Sequence, residues 1–224
     1  MSLILSVETS TNVCSVALYR EDDLLALSEV MIQKSHSSLL TVMVDDIVRH
    51  SGYALDDLEA VAVSAGPGSY TGLRIGVSVA KGLCYSKDIP LIAVDTLQAM
   101  AVGVNRYNTG KQLLCPMIDA RRMEVYYTLM NSDGDILEPS SPKILDSDSF
   151  RETLIDNEIL FFGNGALKYY ELVKGNRNVK HISGVYPSGK EIGFLAWQAF
   201  LKSDFVNTAY FEPSYLKEFM SGVK

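Results

Sequence analysis

The chain opens with three apolar runs parted by short polar turns. Residues 3–7 are nearly all apolar, residues 14–19 follow Glu8-Thr9-Ser10-Thr11-Asn12, and residues 24–31 follow Glu21-Asp22-Asp23. Runs of this length between polar turns predict strands, and turns this short predict an antiparallel meander with the first strand central. Over 36–51 the period changes. Leu39, Leu40, Met43, Val44, Ile47 and Val48 share one helical face, and Gly52 stands just past the end as a C-cap should. A buried strand at 60–64, a glycine turn, a helix over 71–86, a strand at 90–94 and a helix from Thr96 then alternate, so parallel crossover units extend the sheet.

A second region repeats the theme. A strand at 113–118, the turn Asp119-Ala120-Arg121-Arg122, and a strand at 124–130 form a hairpin, with a reverse turn at Asn131-Ser132-Asp133-Gly134-Asp135. The proline-containing stretch 138–142 receives no element. A helix over 149–155, a strand at 159–162, a helix ending near 173 and a last helix over 191–201 complete the pattern. The repetition implies an α/β fold of two related lobes, 1–104 and a smaller 105–224. The boundary falls in 102–111, where Asn105, Asn108 and Gly110 interrupt the apolar pattern, and the last helix is free to pack back on the first lobe.

Composition narrows the classes. With 224 residues and 47% hydrophobic content the chain can bury a sizeable core. It lacks an apolar run near 20 residues, and its start has no basic segment before an early acid, so a cytoplasmic protein without a membrane span is expected. Cys14, Cys84 and Cys115 are odd in number and lie in apolar stretches, which predicts reduced core thiols. A formal charge of −7 opposes a broad phosphate-binding surface, so contact with nucleic acid is expected only through a partner.

Three places hold candidate chemistry. Gly66-Pro67-Gly68-Ser69 joins a buried strand to a helix, where free amides can hold an anion, but it is not a GxxxxGK[ST] loop. The alternative is a tight turn with Ser69 or Thr71 as N-cap. Glu8 closes the first strand, and Asp119 opens the matching turn of the second lobe, where a carboxylate can hold a metal-bound water or simply a local salt bridge. Gly72, Gly76 and Ala80 form a small-residue stripe that predicts close approach of another helix, with Leu39, Met43 and Ile47 as the candidate face. His36, His50 and His181 form no HxxxH or HExxH pair, and no GxSxG nucleophile motif occurs.

Ser64-Ala65-Gly66-Pro67-Gly68-Ser69-Tyr70-Thr71-Gly72-Leu73-Arg74-Ile75-Gly76 resembles the TsaB (YeaZ) family, relatives of the tRNA-modifying TsaD/Kae1 family. Ile4-Leu5-Ser6-Val7-Glu8-Thr9-Ser10, Asp119-Ala120-Arg121-Arg122-Met123-Glu124-Val125-Tyr126 and Glu212-Pro213-Ser214-Tyr215-Leu216 extend the resemblance over nearly the whole chain. It implies an actin-like ATPase (ASKHA, ribonuclease H-like) fold of two lobes, the second reduced. It also implies a non-catalytic scaffold or activator subunit in the synthesis of threonylcarbamoyladenosine on tRNA.

The partners implied are the TsaD transferase and the TsaE ATPase, with a homodimer when alone and tRNA met only within the complex. ATP or ADP and metal are implied for the partners, and no cofactor for the isolated subunit. The catalytic relatives bind metal through an HxxxH pair, whose positions correspond here to Thr96 and Met100, a weak hydroxyl and a soft thioether. In the family, the two helices of the first lobe dock the partner, which makes Tyr70, Arg74, Val77, Ser78 and Lys81 the candidate contacts. The competing reading is a stand-alone ASKHA ATPase or phosphotransferase using Glu8, Gly66, Gly68, Ser69 and Asp119.

Overall fold

The computed structural model describes residues 2–32 and 36–217. β1 (Leu3–Glu8), β2 (Cys14–Arg20) and β3 (Asp23–Val30) form the expected meander, followed by α1 (His36–His50). β4 (Ala60–Gly66), α2 (Tyr70–Lys87), β5 (Leu91–Asp95) and α3 (Thr96–Asn105) come next. The sheet order is β3-β2-β1-β4-β5, with β4 parallel to both β1 and β5. All six residues of β1 are buried, as a strand covered on both faces requires.

The second region contains β6 (Leu113–Asp119), β7 (Glu124–Met130), β8 (Ile136–Ile144), α4 (Arg151–Asp156), β9 (Ile159–Phe162), α5 (Ala166–Leu172), β10 (Val179–Ile182) and α6 (Gly189–Leu201). Its sheet runs β8-β7-β6-β9-β10, the same connectivity as the first. β8 takes up the stretch 138–142 that received no element, and β10 was not expected. Both are edge strands. A proline there need not donate into the ladder on its open side, so Pro139 and Pro142 are tolerated in β8. The second sheet has five strands like the first, so the reduction falls on the helices. α4 and α5 have 6 and 7 residues, against 15 and 18 in α1 and α2.

Side chains alternate across a strand, so each sheet feeds two cores. Leu3, Leu5 and Val7 pack with Leu40, Val44 and Val77 under α1 and α2. Ile4, Ala17 and Ile92 face the other way, onto Ile192 and Ala196 of α6. The last helix therefore does pack on the first sheet. It is fixed there by the Ser6 hydroxyl donating to Gly189 O at 2.7 Å and by Gly189 N donating to Ser15 Oγ at 2.8 Å. α3 packs Leu97, Met100 and Ala101 against Leu114, Ile118 and Phe162 of the second sheet, while its Ala99 meets the α6 core. α3 and α6 thus lie between the sheets, with α1 and α2 on one outer face and α4 and α5 on the other. Cys14, Cys84 and Cys115 are buried and unpaired.

Candidate functional site

Three of the four segments that carry the family resemblance meet at the end of β1, around the start of α2. Ser69 N donates to Ser10 O at 2.6 Å, and Thr9 Oγ1 donates to Gly72 O at 2.8 Å. A Cβ on Gly68 would stand 2.4 Å from Ser10 O, one on Gly72 2.1 Å from Thr9 O, and one on Gly76 2.3 Å from Thr9 Oγ1. The expected pairing of α1 with α2 is present, with Met43 and Ile47 sharing a core with Val77 and Ala80, but Gly72 and Gly76 close on Thr9 rather than on α1. Gly66 has φ +103° and a cis bond to Pro67, and a Cβ there would lie 2.9 Å from Ser214 O. Ser69 is the N-cap of α2, accepting from Gly72 N at 3.2 Å.

Glu8 is wholly buried at this junction. Its Oε1 accepts from Ser10 N, while Oε2 and the hydroxyls of Ser10 and Ser64 lack hydrogen-bond partners. Burial pushes the Glu8 carboxyl up to about 7. The neighbouring hydroxyls and the Ser10 amide pull it down in part, although the hydroxyls are not placed to satisfy Oε2 as hydrogen bonds.

Asp119 has partners of its own. It accepts from Lys168 Nζ at 2.7 Å and from Arg121 N at 2.6 Å, and its own amide donates to Asn164 Oδ1 at 2.9 Å. None of these partners is shared with Glu8, whose Oε1 accepts from Ser10 N. Arg121 and Arg122 both adopt positive φ, at 72° and 46°. Thr96 and Met100 are buried on α3, and the Thr96 hydroxyl has no partner.

The candidate contacts on α2 divide. Val77 is only 5% exposed and belongs to the core, so its assignment to the partner surface is wrong. Ser78 and Arg74 are exposed, and Tyr70 and Lys81 half-buried. Lys81 is engaged within the chain: its ammonium donates to Ala209 O and Phe211 O, both at 3.0 Å. Arg74 donates to the Tyr215 hydroxyl at 3.1 Å and lies 4.1 Å from the Tyr70 ring centroid, while Tyr70 and Tyr215 pack at 4.9 Å.

Residues 206–217 therefore form an irregular strap along α2. Val206 N donates to Leu91 O at 3.0 Å, Ser214 N donates to Ala65 O at 2.7 Å, and Lys217 Nζ reaches Glu124 Oε2 of the second sheet at 2.5 Å. Sequence reasoning missed these contacts because the strap has no periodicity. The Glu212-Pro213-Ser214-Tyr215-Leu216 run marked its place without revealing its target. Through it the Glu212 run meets the glycine loop, and Lys217 just past it ties in the Asp119 segment.

The architecture is that of the actin-like ATPase (ASKHA) fold. Component A of the (R)-2-hydroxyglutaryl-CoA dehydratase from Acidaminococcus fermentans superposes with a TM-score of 0.51 at 8% identity, covering 91% of this chain and 98% of that one. A family model described as TsaD, tRNA N6-adenosine threonylcarbamoyltransferase, matches residues 30–216. The tRNA threonylcarbamoyladenosine biosynthesis protein TsaB of Escherichia coli K12 is 32% identical over 219 residues, 96% of this chain and 94% of that protein. A crystal structure from Pseudomonas aeruginosa, described as an uncharacterized protein with similarity to peptidase YEAZ, agrees with a TM-score of 0.83 at 29% identity, covering 97% and 100% of the two chains. The chain belongs to the TsaB (YeaZ) family.

Proposed function

We propose that this chain takes part in threonylcarbamoyladenosine synthesis on tRNA as a non-catalytic scaffold or activator subunit that docks on the TsaD transferase. The observation that carries the non-catalytic part is the junction at the end of β1. The Ser69 amide, which a phosphate would need, is bound to Ser10 O, and the glycine backbone of the loop closes on Thr9 and Ser10. Glu8 has no exposed oxygen with which to hold a metal-bound phosphate, and Asp119 is neutralised by Lys168. These residues do not fit a nucleotide-phosphate site, which weighs against the stand-alone ATPase or phosphotransferase.

The docking part rests on kinship. A chain that the transferase family model matches over 30–216 shares that fold, and like surfaces of related chains can pair about an approximate two-fold axis. The exposed side of α2 is the surface offered, to the transferase in the complex and to a second copy when the chain is alone. TsaE joins the assembly, tRNA is met within it rather than by this acidic chain, and the setting is the cytoplasm. ATP or ADP and metal belong to the partners.

Calorimetric titration of the purified transferase tests the reading. Saturable binding near one to one is expected, with no magnesium-dependent ATP hydrolysis by the isolated chain. Absence of binding by the folded chain contradicts the scaffold role. Hydrolysis lost in Asp119→Ala would restore the enzymatic reading.

A further inference from the structure

A cleft of about 340 Å³ lies between the C-terminal half of α3 and the connection from β10 to α6, and it shares no residue with the junction at β1. Its floor is Met100 and Leu160, from the core between α3 and the second sheet, with Val104 and Val185 packed against them. Tyr107 and Tyr186 also line it and are 79% and 45% exposed, so both rings are open to solvent. Among the described residues Glu191 is the charged group in this lining. Its side chain is 15% exposed and lies over Gly103 of α3, where a Cβ would stand 2.7 Å from Glu191 Cγ and 3.1 Å from its Oε1. A helix interior disfavours glycine, and here the missing side chain is what admits the acid. An acid in the first turn of α6 would stabilise that helix from solvent as well, with no glycine needed in a neighbouring helix. Lys190 Nζ stands 3.8 Å from Oε1, too far for a hydrogen bond. Burial pushes the Glu191 carboxyl up, helped by Glu29 and offset in part by Lys190, its own backbone amide and Arg106. Asn108 leaves a second acceptor in the same lining: its Nδ2 donates to Gln112 O at 2.9 Å, while its Oδ1 is buried with no hydrogen-bond partner among the described residues.

We infer that this cleft is a binding site for a small planar molecule carrying N–H donors, whose ring lies on the apolar floor beside Tyr107 and Tyr186 and whose donors meet the Glu191 carboxylate. A largely apolar cavity of this size with a few convergent polar groups is the form small-molecule sites take. The acceptors decide the polarity of the ligand. Glu191 and Asn108 both lack donors, and a buried acceptor left unpaired costs more than a made hydrogen bond returns. An ammonium is less suited, since Lys190 and Arg106 already bring positive charge to Glu191. A carboxylate ligand would meet Glu191 as a like charge. The two phenol rings offer faces on which a planar ring can stack with an offset. Nothing in this site depends on the scaffold role.

Benzamide is the probe, with methyl benzoate as a match in shape that lacks N–H donors and benzoate as the anion. Each is titrated into the full chain while the amide NMR shifts of α3 and of residues 182–191 are followed. Benzamide should shift these residues saturably with a dissociation constant on the order of 1 mM, and methyl benzoate should bind about fivefold or more weakly. In Glu191→Leu, confirmed folded by thermal unfolding, the two should bind within about twofold of each other, because the discrimination acts through that carboxylate. Tyr107→Ala, at an exposed position that folding tolerates, should weaken both by about threefold or more and leave their ratio unchanged. Absence of saturable shifts in these residues with benzamide overturns the site. Equal affinity for methyl benzoate and benzamide, or a preference that survives Glu191→Leu, overturns the role of the carboxylate. Benzoate binding as tightly as benzamide would make this an anion site and contradict the ligand class.

Discussion

Glu8 holds its proton in the folded chain up to about pH 7, whereas an unfolded glutamate loses it near 4.5. Between those values the native state binds more protons than the unfolded state, so stability falls as pH rises through that window and stays reduced above it. Glu8→Gln keeps an acceptor for Ser10 N and supplies an amide that can donate to the Ser10 or Ser64 hydroxyl. It should therefore unfold at higher denaturant than wild type at pH 8, by up to about 3 kcal/mol, and approach parity near pH 4.5. A difference independent of pH would contradict the raised pKa. Glu8 was legible as a candidate because it ends an apolar strand. Its burial was not, because that depends on Thr9 and Ser10 closing on glycines sixty residues away.

At the scale of elements, α2 carries two glycines with opposite roles. Gly76 lies against Thr9 Oγ1, and Gly82 has open space where a Cβ would stand. Gly76→Ala should destabilise by about 1–3 kcal/mol through overpacking. Gly82→Ala should stabilise by about 0.5–1 kcal/mol through helix propensity. Equilibrium denaturation of the two variants checks the pair, and equal signs would contradict the packing described. The strands with continuous apolar runs, β1, β2, β4 and β9, were readable from sequence because burial on both faces demands them. β8 and β10 were not, since an edge strand tolerates Pro142 and mixes Lys180 and His181 into its run. The strap was invisible for a related reason. It is held by backbone hydrogen bonds and by Lys81, Arg74 and Lys217, none of which leaves a period in the sequence.

At the scale of the whole molecule, two sheets of identical connectivity enclose α3 and α6, and the strap ties α2 to the second sheet through Lys217 and Glu124. The repetition was readable because each half begins with a hairpin and continues into strand–helix units. The filling of the junction at β1 was not, because it depends on contacts between segments about sixty residues apart in the chain. A closed phosphate loop and an open helical face are what the proposed role, a chain that works through another protein, requires.

The most direct test of that claim is formation of threonylcarbamoyladenosine by purified TsaD and TsaE with tRNA and a source of threonylcarbamoyl-adenylate, measured with and without this chain. The account predicts modified adenosine that depends on the chain and persists with Glu8→Gln, whose carboxylate does no chemistry. Modification that proceeds equally well without the chain, or that is lost with a folded Glu8→Gln variant, would contradict it.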